Sequence, residues 1–260
     1  MSNQQTVQQV LLFGASNLTL GWNAVISELT AFWKCPLNVN VCLGMGRSWI
    51  GTSRVFWRVL PGITECGLWN RLPDDSERVS VMLTDIGNDI VYGYSPQQIL
   101  DSVRLCLDRI RNWAPECQII VTRLPIASIR TLGEFRFRVM RFILFPGNSR
   151  SLSSILSDSE QVDQAVCELA KPYGLRLIDS EAAWYGFDPI HILKPKRPEV
   201  FRHYFSHWAR EGRTEARSDV PSSNLVLPSL PVTAERWVRG RQISTPQPVF
   251  QTGGLTVSAW

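Results

Sequence analysis

Five short apolar runs alternate along the chain with stretches of helical periodicity, and this alternation constrains the fold more than any other feature. The runs lie at 8–13, 37–43, 79–83, 118–121 and 175–178. Such runs, bounded by turn residues, read as strands, 8–13 as a buried one and 37–43 as one that alternates apolar and polar residues. Between them, helical spacing appears over 20–34, with Leu20, Val25, Ile26, Leu29 and Phe32, and over 96–113, with Ile99, Val103, Leu107, Ile110 and Trp113. Pro115 stops the second of these. Further helices are expected over 131–145, 159–170 and 198–211. Strands alternating with helices imply parallel crossovers, so the pattern predicts a three-layer α/β fold around a parallel five-stranded sheet. In such sheets ligands sit beyond the carboxyl ends of the strands. Ser16, Gly46, Asn88 and His191 all fall just past expected strand ends and would converge on one rim.

The chain has 260 residues, 44% of them hydrophobic, which excludes disorder throughout and gives enough apolar surface for a full core. No apolar stretch approaches the ~20 residues that span a bilayer. Residues 1–5 have neither a basic region nor a long apolar one, so no signal peptide is expected. From about residue 213 the texture changes, with prolines at 221, 228, 231, 246 and 248. The chain therefore divides into an α/β domain over 1–212 and an extension over 213–260. In the extension, 213–231 reads as a Pro-rich linker, while 236–238 and 255–260 read as short strands of a small β-like appendage.

The formal net charge is +4, and only Lys34, Lys171, Lys194 and Lys196 among the basic residues are lysines. With no run of five like charges and no arranged basic-aromatic module, nucleic acid is not an expected partner. The six cysteines include no Cys-x-x-Cys pair, which argues against a zinc or redox motif. Cys42, Cys106 and Cys167 lie among apolar residues, as buried free thiols do, and that agrees with a cytoplasmic setting.

Only three histidines are available for chemistry that needs a base near neutral pH: His191, His203 and His207. Ester hydrolysis needs a nucleophile, a base, a group that orients the base, and donors for the oxyanion. Ser16 supplies a hydroxyl on the turn after the first strand. His191 supplies a base, and Asp188, three residues earlier, can hold its Nδ1–H. Asn88 offers an amide donor, and the backbone N–H groups of Ser16 and Gly46 complete an oxyanion hole. No metal or cofactor is implied.

These stretches resemble the SGNH hydrolases, also called GDSL-type esterases. The matching blocks are Phe13-Gly14-Ala15-Ser16-Asn17-Leu18, Cys42-Leu43-Gly44-Met45-Gly46, Ile86-Gly87-Asn88-Asp89 and Asp188-Pro189-Ile190-His191. They occur in the family's order over about residues 8–210. The resemblance implies a flavodoxin-like fold, a small-molecule ester substrate and a serine nucleophile acting without a metal. Two features depart from the pattern. Ala15 replaces the acid that usually precedes the nucleophile, and either Asp85 or Asp89 could substitute for its ordering of the loops. In the second block, register favours Gly46 over Gly44. No Gly-x-Ser-x-Gly pentapeptide is present, which argues against an α/β-hydrolase.

Each site residue also has a plainer reading. Ser16 could merely cap the helix after it, Asn88 could serve a turn, and Asp188 could open a surface turn. His203 and His207 share a helix face, but the Glu of a metalloprotease helix is missing between them. The aromatic helix over 135–142 reads as a crossover helix or as one wall of an acyl pocket. Trp22, Trp49 and Trp184 could line that pocket or anchor loops. A catalytically impaired SGNH-fold protein that binds acylated or carbohydrate ligands is the alternative function, followed by acyl transfer to an acceptor other than water.

Overall fold

The computed structural model describes residues 7–72, 74, 77–144, 150–208 and 229–260, with side chains throughout these except at 140–144. Residues 213–228 of the expected linker and 209–211 of the last expected helix lie outside the described residues.

The five expected strands form as β1 (Gln8–Phe13), β2 (Leu37–Cys42), β5 (Val79–Leu83), β6 (Gln118–Thr122) and β7 (Leu175–Ile178). Between β2 and β5 lies a short hairpin absent from the sequence reading, β3 (Ser53–Val55) and β4 (Arg58–Leu60). The helices are α1 (Ser16–Trp33), α2 (Asn88–Val91), α3 (Pro96–Trp113), α4 (Ile126–Arg130), α5 (Glu134–Leu144), α6 (Leu152–Tyr173) and α7 (Arg197–Ser206). The C-terminal part adds β8 (Glu235–Val238), β9 (Arg241–Ser244), β10 (Phe250–Gln251) and β11 (Leu255–Ala259).

The main sheet runs β10-β11-β2-β1-β5-β6-β7. All its neighbours pair parallel except β10 with β11. Among the five expected strands the chain order in the sheet is second, first, third, fourth, fifth, which is the flavodoxin-like doubly wound arrangement. Its switch point lies between β1 and β5, where the chain leaves the sheet in opposite directions. The three layers follow from the period of two in a strand. Along β1, Leu11 and Phe13 pack into the core shared with α3 and α6, while Val10 and Leu12 pack into the one shared with α1 and α7.

The sheet therefore has seven strands where the sequence predicts five. The two extra strands come from the C-terminal extension. β11 pairs with β2 in register, Val257 opposite Val39, and its Leu255, Val257 and Ala259 are buried in the α1–α7 core. β8 and β9 join β3 and β4 in a second sheet, ordered β3-β4-β8-β9. Among the described residues all six cysteines are free, but Cys167 is only half-buried, unlike Cys42 and Cys106.

Candidate active site

The turn that carries Ser16 is organised from outside its own segment. α1 begins at Ser16, and its N-cap residue is Ala15, which has no side chain to cap with. The acceptor comes instead from Asp85, past the end of β5. Its Oδ2 accepts from Ala15 N–H (2.8 Å) and Asn17 N–H (3.1 Å), and its Oδ1 accepts from Asn17 Nδ2 (2.7 Å). A carboxylate at a helix N-terminus satisfies orphan donors and complements the helix dipole. Asp85 has φ +58°, a left-handed conformation that Asp tolerates better than most residues. Ser16 is thereby relieved of capping. Its hydroxyl makes no hydrogen bond among the described residues, and its N–H, between the two that Asp85 takes, has no acceptor there either.

His191, the expected base, lies on the loop before α7. Asp188 Oδ2 holds His191 Nδ1, and Asp188 Oδ1 accepts from Ile190 N–H (3.0 Å) and His191 N–H (3.2 Å). Burial disfavours the Asp188 carboxylate, but the His191 hydrogen bond and charge, with the two N–H donors, outweigh it and hold the carboxyl below its usual range. Asn17, the residue after Ser16, ties this loop to the turn that carries Ser16. Its Nδ2 donates to the Ile190 carbonyl (2.9 Å), and its Oδ1 accepts from Ile192 N–H (2.9 Å). Sequence reasoning missed this role. The one signal available was a short polar side chain directly after the serine.

Of the expected oxyanion donors, Asn88 lies at the start of α2, and its Nδ2 donates weakly to the Arg47 carbonyl (3.4 Å). An amide NH2 has two donors, so one stays available. Gly46 sits at φ +62°, and an added Cβ would fall 2.6 Å from Tyr92 Oη and 2.9 Å from Val55 Cγ2. Tyr92 Oη donates to the Gly46 carbonyl (2.5 Å), and no acceptor among the described residues meets the Gly46 N–H. Asp89 braces the same loop by accepting from Ser48 Oγ and from Trp49 N–H (2.8 Å). Both acids weighed as substitutes for the one missing at Ala15 therefore hold loops, Asp85 the first block and Asp89 the second.

A cavity of about 90 Å³ opens between these elements. Ser16 and Asn88 line it, with apolar walls from Ile86, Ile90, Leu124, Ile129 and Ile155, and Tyr185 and Tyr204 on another side. Burial pushes the Tyr185 phenol up to about 12, so it stands as a neutral group near neutral pH. Gly46, Asp188 and His191 do not line the cavity. Trp22, Trp49 and Trp184 do not line it either; all three are buried in the cores as anchors. In the aromatic helix, now α5, Phe137 is buried, while Arg136 donates to the Gly186 and Phe187 carbonyls just before Asp188. The side chains at 140–142 lie outside the described residues. His203 and His207 pack 4.8 Å apart on α7 and its C-cap, and His207 Nδ1 lies 2.9 Å from the His203 carbonyl.

In sequence, neither a protein-family model nor a curated protein matches the chain. Solved structures do match in shape, and at their low identities the likeness is one of fold. One is a carbohydrate acetylesterase family member from Sinorhizobium meliloti, with 14% identity, TM-score 0.52, and coverage of 76% of this chain and 95% of that one. Another is a member of the lipolytic protein G-D-S-L family from Veillonella parvula DSM 2008, with 12% identity, TM-score 0.50, and coverage of 79% and 100%.

Proposed function

We propose that this chain is a serine hydrolase that cleaves carboxylic esters through an acyl-enzyme on Ser16. The observation that carries the reading is the coupling of two distant blocks. The Asp188–His191 pair is tied by Asn17 to the turn that presents Ser16, and Ser16 shares a cavity with Asn88. With Nδ1–H held by Asp188, the imidazole keeps its lone pair on Nε2. Nε2 takes the proton as Ser16 Oγ attacks the acyl carbon. The oxyanion is met by the N–H groups of Ser16 and Gly46 and by Asn88 Nδ2. Collapse expels the alcohol, which receives the proton from His191. Water, deprotonated by His191, then attacks the acyl-serine, and Ser16 leaves with its proton restored.

The substrate on this reading is a small ester, and the apolar wall from Ile86 to Ile155 receives the acyl group. The free thiols support a reducing, cytoplasmic setting. Among the described residues no helix is long and apolar enough to cross a membrane. The test is labelling of the purified protein by a fluorophosphonate, read by mass spectrometry, alongside hydrolysis of aryl acetates. Label on Ser16 and loss of both signals in Ser16→Ala are expected. Turnover by Ser16→Ala at the parental rate overturns the assignment. Asn88→Ala is expected to lower kcat by roughly 10²–10³ through loss of one oxyanion donor.

A further inference from the structure

The hairpin missing from the sequence reading ends in two exposed aromatic residues. β3 and β4 are joined by Phe56 and Trp57 alone, with Val55 paired to Arg58. Two-residue hairpin turns need positive φ, for which glycine and asparagine are favoured. Here Phe56 takes φ +54° while 84% exposed, and Trp57 is 61% exposed. A large aromatic side chain at such a position is unfavourable in backbone conformation and again in hydration. Strained, exposed positions of this kind are typical of contact sites.

The surroundings define the partner's charge. Arg239 N–H donates to the Trp57 carbonyl (2.9 Å), which sets the turn of the β8–β9 hairpin beside the aromatic tip. Arg54, Arg239 and Arg241 are exposed around it. The one acid within 53–60 and 235–244 is Glu235, at the far end of β8 from the tip. The ring geometry defines the partner's form. The two rings lie 5.7 Å apart and are inclined by 38°, so they do not form one continuous flat platform. A sugar ring or a base stacks on a flat face. Two exposed rings, Phe and Trp, with arginines exposed beside them suit the head-group layer of a bilayer, where amphipathic rings settle and arginines meet phosphates.

We infer that the Phe56–Trp57 tip and its arginine ring form a docking site for an anionic phospholipid surface. The tip adjoins the candidate active site, because Val55 packs where a Gly46 side chain would be. Docking would bring the Gly46 side of that site against the lipid layer. The inference does not depend on the hydrolase reading, since it is read by binding.

Sedimentation of the full chain with vesicles of equal parts phosphatidylglycerol and phosphatidylcholine tests it, with pure phosphatidylcholine vesicles and soluble dextran sulfate as the other arms. Binding to the anionic vesicles, weakened by salt, is expected. Phe56→Gly with Trp57→Ser should lower partitioning at least about tenfold, through loss of two inserted rings. The glycine suits the turn, so the thermal midpoint should not fall and fluorophosphonate labelling should be unchanged. Arg239→Glu with Arg241→Glu should also weaken binding. Ser16→Ala should bind as the parent does, which separates this inference from the catalytic one. Absence of vesicle binding, binding that survives the Phe56/Trp57 change, or capture by dextran sulfate without vesicle binding would each overturn the proposal.

Discussion

Asn17 grips the backbone on both sides of His191, through the Ile190 carbonyl and the Ile192 N–H, while its own amide rests on Asp85. A shift of about 1 Å in a positioned base can cost ~10²-fold in rate. Asn17→Ala should therefore lower kcat by up to about 10²-fold with little change in KM, measured by steady-state kinetics on an aryl ester. Asn17→Asp should do worse than Ala near neutral pH. It keeps an acceptor for Ile192 but sets a second carboxylate against Asp85, where Nδ2 now lies 2.7 Å from Oδ1. Asp188 makes a pH prediction of defined sign. Its folded pKa is depressed, so its ionised form adds stability above the ordinary carboxylate range, and that stability is lost as pH falls through the folded value. The melting-temperature gap between parent and Asp188→Asn should be widest near neutral pH and should narrow as pH falls below the ordinary carboxylate range. Ser16, Asp188 and His191 were legible as candidates because serine after a strand and Asp-x-x-His are local patterns. The Asn17 bridge was not, because its partners stand 68 and 173 residues away.

At the scale of elements, helix starts show how local signals succeed or fail. α3 begins where expected because Ser95 and Gln98 cap it reciprocally, Ser95 Oγ accepting from Gln98 N–H and Gln98 Oε1 from Ser95 N–H, with Pro96 at the first position. Ser95→Ala should cost about 1 kcal/mol in urea unfolding. α1 begins at Ser16, four residues before the start that apolar spacing suggests, because its cap is the distant Asp85. β2 gives a similar lesson. Its Asn38 and Asn40 alternate with apolar residues as in a strand with one wet face. Yet Asn40 is buried, accepting from Trp260 Nε1 (3.0 Å), and Asn38 donates to Gln9 Oε1 (2.9 Å). The β3–β4 hairpin escaped notice because Phe56-Trp57 carries none of the turn residues that mark a hairpin in sequence.

Over the whole molecule, the C-terminal segment belongs to the core that the earlier residues build. β11 extends the main sheet beyond β2. Buried Arg47 spans Leu43 (3.2 Å), Pro61 (3.2 Å) and Trp260, holding their carbonyls together behind the Gly46 loop. Leu255→Ala, at a fully packed position of β11, should therefore cost about 2–5 kcal/mol in global stability by denaturant unfolding. A loosely attached appendage would lose far less.

The sequence by itself determined the three-layer α/β arrangement and set Ser16 and Asn88 just past the ends of strands. Strand and helix periods, and the residues that end each strand, are properties of neighbours along the chain. Tertiary structure alone decided that Asp85 caps the helix that begins at Ser16 in place of an acid at position 15, that Asn17 fastens the His191 loop, and that the C-terminal strand completes the sheet. Each of these is a hydrogen-bonded or packed contact between segments far apart in sequence. Such contacts depend on the direction in which two segments approach, and no local pattern carries that direction.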